Sequence, residues 1–242
     1  SSAAMVKAKN YAIMFKTIFF DLDHTLWDFD KNSNETLAEL FEQHHLQTKG
    51  VTSLDAFTQV FKKVNTQLWD LYDRGLIQSQ TIREQRFLQV LAPFGIDDAQ
   101  LIAQLSEEYL YACPRKGHVF PHAHEVLDYL SNKYELSLIT NGFDEIQAMK
   151  IESGKLNGYF QHVVTSQKAG HKKPAKEIFN YALQLHGHDA KEAVMIGDNL
   201  QTDIAGARNA SIKPIFFNPE AIKHKEEIYK EIKTLKELND LL

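Results

Sequence analysis

Residues 17–30, TIFFDLDHTLWDFD, place four carboxylates directly behind a short apolar run. A continuous apolar run of this length is typical of a strand buried on both faces of a parallel sheet. Asp21 and Asp23 would then emerge where the strand meets solvent. Two carboxylates this close repel each other unless a metal ion, a lysine or a shared proton joins them. The stretch therefore predicts a buried strand that ends in a charged site.

The composition bounds the class of protein. The chain has 242 residues, of which 24% are charged and 43% hydrophobic, and these values are typical of globular proteins. A chain of this length buries roughly three quarters of its unfolded surface. The net charge of -5 provides no electrostatic footprint for a nucleic acid polymer or an anionic membrane. We expect neither as a partner, so any phosphate must be bound by a local site.

The cysteine content and the hydropathy pattern bear on location. Cys113 is the only cysteine in the sequence, which rules out an intrachain disulfide and favours a reducing compartment. No stretch approaches the roughly 18 to 20 uninterrupted apolar residues of a membrane span, and the first residues do not have the pattern of a secretion signal. We expect a cytoplasmic protein, either a monomer or a small homo-oligomer.

Beyond residue 112 the chain alternates short apolar segments with amphipathic helical segments. This alternation is typical of a parallel sheet with helices on both faces. Together with the strand at 17–22, it predicts an α/β fold built on a doubly wound parallel sheet. The further strand candidates are residues 135–140, 162–166, 193–198 and 215–218.

The segment between the first strand and residue 112 has almost no strand pattern. Apolar residues recur three and four positions apart, as in amphipathic helices. A structureless loop of this length is uncommon, so helices joined by short turns are the better interpretation. We predict a helical insertion of residues 30–112 in a core of residues 1–29 and 113–242. The four helical segments are residues 33–47, 54–75, 81–95 and 99–113.

Polar residues follow the predicted strands. Ligands of open α/β sheets bind outside the carboxyl ends of the strands, so residues at these positions are candidates for one shared site. The candidates are Asp21 and Asp23, Thr140 with Asn141 and Gly142, Lys173, and Asp198 with Asp203.

These side chains fit the hydrolysis of a phosphate ester, which needs a nucleophile, charge neutralisation and a proton for the leaving oxygen. Asp21 can attack phosphorus and form an aspartyl-phosphate, which divides the hydrolysis into two displacements. Asp23 can protonate the leaving oxygen and then accept a proton from the attacking water. We expect the like charge of Asp21 to raise the pKa of Asp23.

Carboxylates that face a phosphate need a bridging cation. Aspartate oxygens, a backbone carbonyl and water suit Mg²⁺, a hard and octahedral ion. We expect Asp21, Asp23 through its carbonyl, and Asp198 to bind this ion. It would hold the nucleophile and the phosphate together and spread the charge that develops during transfer.

The remaining phosphoryl oxygens need hydrogen-bond donors. Thr140, the neighbouring backbone N–H groups of Asn141 and Gly142, and Lys173 are the candidates. Pro174 directly follows Lys173 and fits the first turn of a helix. The lysine ammonium and the helix N-terminus would then point at the same anion.

The four motifs resemble those of the haloacid dehalogenase-like hydrolase superfamily. They are residues 21–25 (DLDHT), 139–142 (ITNG), 173–174 (KP) and 197–203 (GDNLQTD), in that family's order. The resemblance implies a Rossmann-like core, a helical cap of the first type and a Mg²⁺-dependent phosphatase. It further implies Asp21 as nucleophile, Asp23 as acid and base, Thr140 and Lys173 as phosphate binders, Asp198 as metal ligand and Asp203 as support for the metal.

A narrower resemblance concerns the substrate. FFDLDHTLWDFD, QLWDLYDRGLIQ, LITNGF and GDNLQTDIAGARNA resemble the pyrimidine 5′-nucleotidase-like branch, which implies a nucleoside 5′-monophosphate. A sugar phosphate, a phosphoglycolate or another small phosphorylated metabolite is the second choice. Dehalogenases of the family typically lack the second aspartate, so Asp23 favours a phosphatase over a 2-haloacid dehalogenase. A phosphate-binding protein without turnover is the alternative from a different class.

Several of these residues also have an ordinary structural explanation. Asp203 could complement the start of the following helix instead of supporting a metal. Trp69, Tyr72 and Phe57 are more typical of the core of the helical insertion than of base-stacking surfaces. Arg74 lies at a turn between cap helices, where it would contact the substrate if the cap closes over the site.

Overall fold

The computed structural model describes residues 14–242, which form a six-stranded sheet in the order β3-β2-β1-β4-β5-β6. Every neighbouring pair of strands is parallel. The predicted doubly wound α/β fold is therefore confirmed. The first thirteen residues of the predicted core lie outside the described residues. The strands are β1 (Thr17–Phe20), β2 (Glu135–Thr140), β3 (His162–Thr165), β4 (Ala193–Gly197), β5 (Lys213–Phe217) and β6 (Lys230–Ile232).

The sixth strand was not predicted from the sequence. β6 has only three residues, Lys230, Glu231 and Ile232, of which two are charged and exposed. It pairs with β5 alone and forms the edge of the sheet. An edge strand needs no continuous apolar run, and charged residues there discourage pairing with other chains. The hydropathy pattern used for the central strands therefore could not reveal it.

Helices cover both faces of the sheet. They are α1 (Phe29–Gln43), α2 (Leu54–Asp73), α3 (Ser79–Leu91), α4 (Ala99–Ala112), α5 (Ala123–Ser131), α6 (Asp144–Ser153), α7 (Ser166–Ala169), α8 (Lys176–His186), α9 (Ala205–Asn209) and α10 (Leu238–Leu241).

The central strand β1 is apolar throughout because it is buried from both sides. Successive strand residues point to opposite faces of a sheet. Ile18 and Phe20 join a large buried cluster that includes residues of α5, whereas Phe19 joins a second cluster with residues of α8 and α9. The backbone of β1 is thereby fixed, and the residues that follow it are held at the carboxyl edge of the sheet.

The four helices α1 to α4 lie between β1 and α5 along the chain, close to the predicted bounds. Ser53 caps α2 by accepting a hydrogen bond from the backbone of Ala56 at 3.0 Å. Phe57, Phe61 and Leu68 form a buried stripe on α2 at helical spacing. The stripe belongs to the same buried cluster as Ile18 of the sheet. The division of the chain into a core and a cap domain stays a prediction.

No helix within residues 14–242 combines the length and the apolar character needed to cross a membrane.

Candidate active site

The site begins where β1 ends. The backbone N–H of Asp21 donates to the carbonyl of Ile196 on β4 at 2.9 Å, which holds the aspartate in line with the parallel ladder. The carboxyl ends of β1, β2 and β4 meet here, next to a cavity of about 810 Å³. Asp21, Asp23, Thr140, Lys173 and Asp198 all line this cavity.

Lys173 connects two buried carboxylates. Its Nζ donates to Asp21 Oδ1 at 2.9 Å, to Asp203 Oδ1 at 2.7 Å and to the carbonyl of Ile139 at 2.7 Å. Burial alone would lower the pKa of Lys173, but the charges of Asp203 and Asp21 outweigh it and raise the pKa above its ordinary value. Burial and the charge of Asp203 raise the pKa of Asp21 to about 6.

Asp203 occupies a widened turn after β4. It lies in a π-helical turn, Leu200–Ile204, and its Oδ2 accepts a hydrogen bond from the backbone of Asn199 at 3.1 Å. A Cβ on Gly197 would lie 2.2 Å from this oxygen, so a glycine is needed there. Single π-helical turns are frequent at functional sites. Asp203 is fully buried and pairs with Lys173. This ion pair inside the site explains the position of Asp203 better than an interaction with the start of the following helix does.

Asp198 completes a group of three carboxylates. The oxygens of Asp21, Asp198 and Asp203 lie within 4.8 Å of one another. Thr25 orients Asp198 by donating from Oγ1 to Oδ1 at 3.1 Å. Burial, together with the charges of Asp21 and Asp203, raises the pKa of Asp198 well above its ordinary value. Buried oxygen donors with excess negative charge fit a hard divalent cation such as Mg²⁺.

Asp23 is held by α6, which reverses one sequence prediction. Lys150 Nζ donates to its Oδ1 at 2.8 Å, and Gln147 Nε2 donates to its Oδ2 at 3.0 Å. Burial acts to raise the pKa of Asp23, but the charge and hydrogen bond of Lys150 outweigh it, so the pKa is lowered. The predicted net rise in the pKa of Asp23 was wrong, because it took no account of a cation 127 positions away.

The loop after β2 supplies the hydroxyl and links two motifs. Thr140 Oγ1 accepts from the backbone of Gly142 at 3.1 Å and from Gln147 Nε2 at 2.7 Å. The amide of Asn141 donates to the carbonyl of Lys173 at 3.0 Å and accepts from its N–H at 2.8 Å. A Cβ on Gly142 would lie 2.3 Å from Gln147. Asn141 therefore fixes the lysine loop to the end of β2.

The prediction that Pro174 lies in the first turn of a helix was wrong. The helix α8 begins at Lys176, after an N-cap at Ala175. The chain first makes a tight turn, in which the N–H of Ala175 donates to the carbonyl of Lys172 at 2.8 Å. Asn141 bonds the backbone of Lys173 on both sides. These contacts place the lysine before the helix rather than in its first turn.

Helix α2 forms the opposite wall of the cavity. Trp69 lines it and stacks on Phe143, with ring centroids 5.5 Å apart and an interplanar angle of 29°. Phe57 is fully buried in the core, as predicted. Arg74 lies on the cavity wall and pairs with Asp70 at 3.2 Å. Contact between Arg74 and a substrate stays a prediction.

Four residues of the site were missed in the sequence. Gln147 and Lys150 are three positions apart on α6 and therefore share a helix face. This spacing, one helical turn after the TNG motif, was the available signal. Asp73, at the end of α2, accepts a hydrogen bond from Asn141 at 3.0 Å. Thr25 lies inside the first motif, in which the sequence indicated roles for Asp21 and Asp23 alone.

Known proteins match this chain over most of its length. The family model of the haloacid dehalogenase-like hydrolases matches residues 18–217. Pyrimidine 5′-nucleotidase PynA of Streptococcus pneumoniae (strain ATCC BAA-255 / R6) is 31% identical over 215 residues, 88% of this chain and 87% of that protein. Pyrimidine 5′-nucleotidase YjjG of Escherichia coli (strain K12) is 30% identical over 228 residues, 93% and 96% of the two chains.

A solved structure is similar over almost the full length. The HAD-hydrolase YfnB of Bacillus subtilis, crystallised with bound magnesium, superposes with a TM-score of 0.84 at 26% identity. The match covers 94% of this chain and 98% of that chain, and the YfnB crystal reveals interdomain movement.

Proposed function

Because this chain belongs to the haloacid dehalogenase-like hydrolases, we propose that it is a Mg²⁺-dependent phosphomonoester hydrolase. The observation that carries the proposal is the ion pair of Asp21 and Lys173 on the wall of a large cavity, with the fully buried Asp203 paired to the same lysine. A binding protein would need the lysine but not a carboxylate nucleophile with a second aspartate two positions further on.

In the proposed reaction, Asp21 attacks the phosphorus atom. Lys173 holds its Oδ1 at 2.9 Å and leaves the other carboxylate oxygen for the new P–O bond. The ester P–O bond breaks, and the leaving oxygen takes a proton from Asp23. Water then attacks the aspartyl-phosphate, Asp23 accepts its proton, and inorganic phosphate and the Asp21 carboxylate are released.

Asp23 must exchange a contact to act in this way. Both of its oxygens are bonded to α6, through Lys150 and Gln147. Because the charge and hydrogen bond of Lys150 lower the pKa of Asp23, the contact with Lys150 has to give way before Asp23 can carry the proton for the leaving oxygen. The same oxygen then accepts the proton of the attacking water. Thr140 Oγ1, which Gln147 contacts at 2.7 Å, lies beside this exchange and is proposed to bind a phosphoryl oxygen.

The carboxylates fit a Mg²⁺ ion held by Asp21, Asp198 and the carbonyl of Asp23, with Asp203 behind them. When bound, the ion would offset the charge of the phosphoryl group and orient it towards Asp21. Lys173 contributes a fixed positive charge on the other side of the nucleophile and keeps Asp203 neutralised.

Within this reading, the substrate we propose is a nucleoside 5′-monophosphate. The similarity to two pyrimidine 5′-nucleotidases supports it. The stacked pair of Trp69 and Phe143 adds an aromatic surface near the phosphate site, and aromatic rings stack favourably on bases. A small phosphorylated metabolite is the proposed partner; the cytoplasmic location and the oligomeric state stay predictions from the sequence.

The test measures release of inorganic phosphate from nucleoside monophosphates and sugar phosphates, with Mg²⁺ and with EDTA. We expect turnover with Mg²⁺, loss of turnover in EDTA and recovery when Mg²⁺ is restored. D21N should lower kcat by at least about 10³-fold, since it removes the nucleophile. D97N is the matched control because Asp97 is an exposed aspartate of the helical insertion.

The outcomes separate the candidate reactions. Activity that survives in D21N would refute the aspartyl-phosphate mechanism. Halide release from 2-haloacids without phosphate release would identify a dehalogenase. A folded protein that binds inorganic phosphate but turns over neither class would be a phosphate-binding protein. A preference for sugar phosphates would refute the nucleotide assignment alone.

A further inference from the structure

A second cluster of side chains suited to bind a metal lies at the amino end of β2, opposite the candidate active site. Glu135 is the first residue of β2, and His186 is the last residue of α8. The catalytic candidates follow the carboxyl ends of the strands, whereas Glu135 marks the amino end of β2. The ligand atoms of Glu135, His186 and His188 lie within 4.8 Å of one another.

The end of α8 brings the two histidines together. Gly187 is the C-cap of this helix and has a φ of 67°, in the left-handed region that glycine adopts freely. The chain therefore turns back, and the N–H of His188 donates to the carbonyl of Leu183 at 3.3 Å. Both imidazoles then face the carboxylate of Glu135.

The distances match those between ligands of one ion. Glu135 Oε2 lies 2.9 Å from His186 Nδ1 and 3.4 Å from His188 Nδ1. Around a tetrahedral ion with bonds of about 2.0–2.2 Å, neighbouring ligand atoms are about 3.4 Å apart. His188 Nδ1 also lies 2.6 Å from Thr17 Oγ1, so this hydrogen bond has to break before the three atoms can bind one ion.

His186 is also oriented from behind, as metal-bound histidines commonly are. Its Nε2 lies 2.6 Å from Ser137 Oγ, and its side chain is 1% exposed. The ring of His162 packs edge-on against it, with centroids 5.1 Å apart. A hydrogen bond at one ring nitrogen fixes the tautomer and direction of the other, which leaves Nδ1 aimed at Glu135.

We propose that Glu135, His186 and His188 form a binding site for a borderline transition-metal ion, with Zn²⁺ as the first candidate. Two imidazoles and one carboxylate suit Zn²⁺, Cu²⁺ or Ni²⁺, whereas Mg²⁺ prefers oxygen ligands alone. When an ion binds, the single proton of the neutral His186 ring moves from Nδ1 to Nε2, which donates it to Ser137 Oγ, and Nδ1 becomes the ligand atom. The site is independent of the catalytic proposal and would tie the end of α8 to the start of β2.

The experiment is a calorimetric titration of the metal-free 242-residue chain with Zn²⁺. Excess Mg²⁺ is present to compete for the catalytic carboxylates, and the titration is repeated in D198N. We expect one Zn²⁺ per chain in both proteins, and at least a tenfold loss of affinity in H188A and in E135Q. Circular dichroism of each variant establishes that it is folded; His188 is only partly buried, so its removal is tolerable for the fold.

The control is H122A. His122 pairs with Glu125 at 3.0 Å but has a single imidazole beside the carboxylate, so its removal should leave Zn²⁺ affinity unchanged. Wild-type affinity in both H188A and E135Q would refute the site and leave a histidine–glutamate hydrogen-bond network only. Loss of binding in D198N with retention in H188A would place the ion at the catalytic carboxylates and also refute the proposal.

Two further readouts separate ligation from packing. Co²⁺ in place of Zn²⁺ should produce the intense visible absorption of a tetrahedral site in the wild type and in H122A, but not in H188A. S137A should lower the affinity by about 10-fold, because the orientation of His186 is lost while all three ligands remain. An unchanged Co²⁺ spectrum in H188A would contradict the proposed ligand set.

Discussion

At the scale of single residues, Lys173 links charge neutralisation in the site to the stability of the fold. It is almost fully buried and pairs with Asp21 and Asp203. K173M should lower the free energy of unfolding by about 3–5 kcal/mol, because it leaves two carboxylates buried beside each other without a cation. Urea denaturation followed by circular dichroism measures the change.

The double variant K173M/D203N tests the cause of that loss. Removing the charge of Asp203 as well should restore part of the stability, so the two substitutions should not be additive. K191M is the control, since Lys191 is exposed. Two results together would contradict the buried charge network: additive effects of K173M and D203N, and a loss of stability in K173M no larger than that in K191M.

Residues at strand ends were accessible to sequence reasoning, and residues on neighbouring helices were not. Asp21 and Asp198 directly follow apolar strands, and topology alone brings the carboxyl ends of such strands together. Lys150 and Gln147 act on Asp23 from α6. Their direction depends on how that helix packs against the sheet, which no local pattern encodes. The pKa of Asp23 was therefore predicted in the wrong direction.

At the scale of secondary-structure elements, hydrogen bonds join the end of α2 to the loops that follow β2 and α7. Asp73 accepts a hydrogen bond from Asn141 at 3.0 Å, and Lys172 donates to the carbonyl of Tyr72 at 2.8 Å. Burial raises the pKa of Asp73 to about 6. The folded protein therefore binds a proton at Asp73 more tightly than the unfolded chain does, and stability falls as the pH rises from about 4 to 6.

D73N should remove this penalty while its amide oxygen still accepts from Asn141. We expect an increase in the free energy of unfolding of about 1–3 kcal/mol at pH 7.5 and almost none near pH 4. Urea denaturation at both pH values measures it. D70N, which replaces an exposed aspartate on the same helix, should change stability by less than about 1 kcal/mol at either pH. A gain in D73N that is equal at both pH values would contradict the assigned pKa.

Long elements were easier to predict than short ones for a physical reason. Helix α2 has 20 residues and a buried stripe that repeats over several turns, so the periodic signal accumulates. β6 has three residues, two of them exposed and charged. Its position depends on hydrogen bonds to the edge of β5 and not on its own hydropathy.

At the scale of the whole molecule, one buried apolar cluster joins the sheet to the helical insertion. Trp27 is fully buried next to β1, and Trp69 lies on α2, so each part of the chain has its own fluorescent probe. We expect one cooperative unfolding transition. The fluorescence of W27F and that of W69F should each coincide with the far-UV circular dichroism of the same variant.

A transition of Trp69 at lower urea concentration than the circular dichroism of W27F would contradict this expectation. It would mean that the insertion unfolds before the sheet. Phenylalanine is the matched replacement at both positions because it keeps an aromatic ring in each site. The fluorescence of the wild type, which contains both tryptophans, is the reference.

The central position of β1 also affects biosynthesis. Thr25 and Asp198, which accepts its hydrogen bond, are 173 positions apart, and β4 pairs directly with β1. At about 5–20 residues per second, the ribosome needs roughly 9–35 s to make the chain between them. During this interval β1 lacks β4, the neighbouring strand that covers one of its two edges. We expect chaperones to bind the nascent chain until β4 emerges. The contacts that hold Asp21 in the site should form only then.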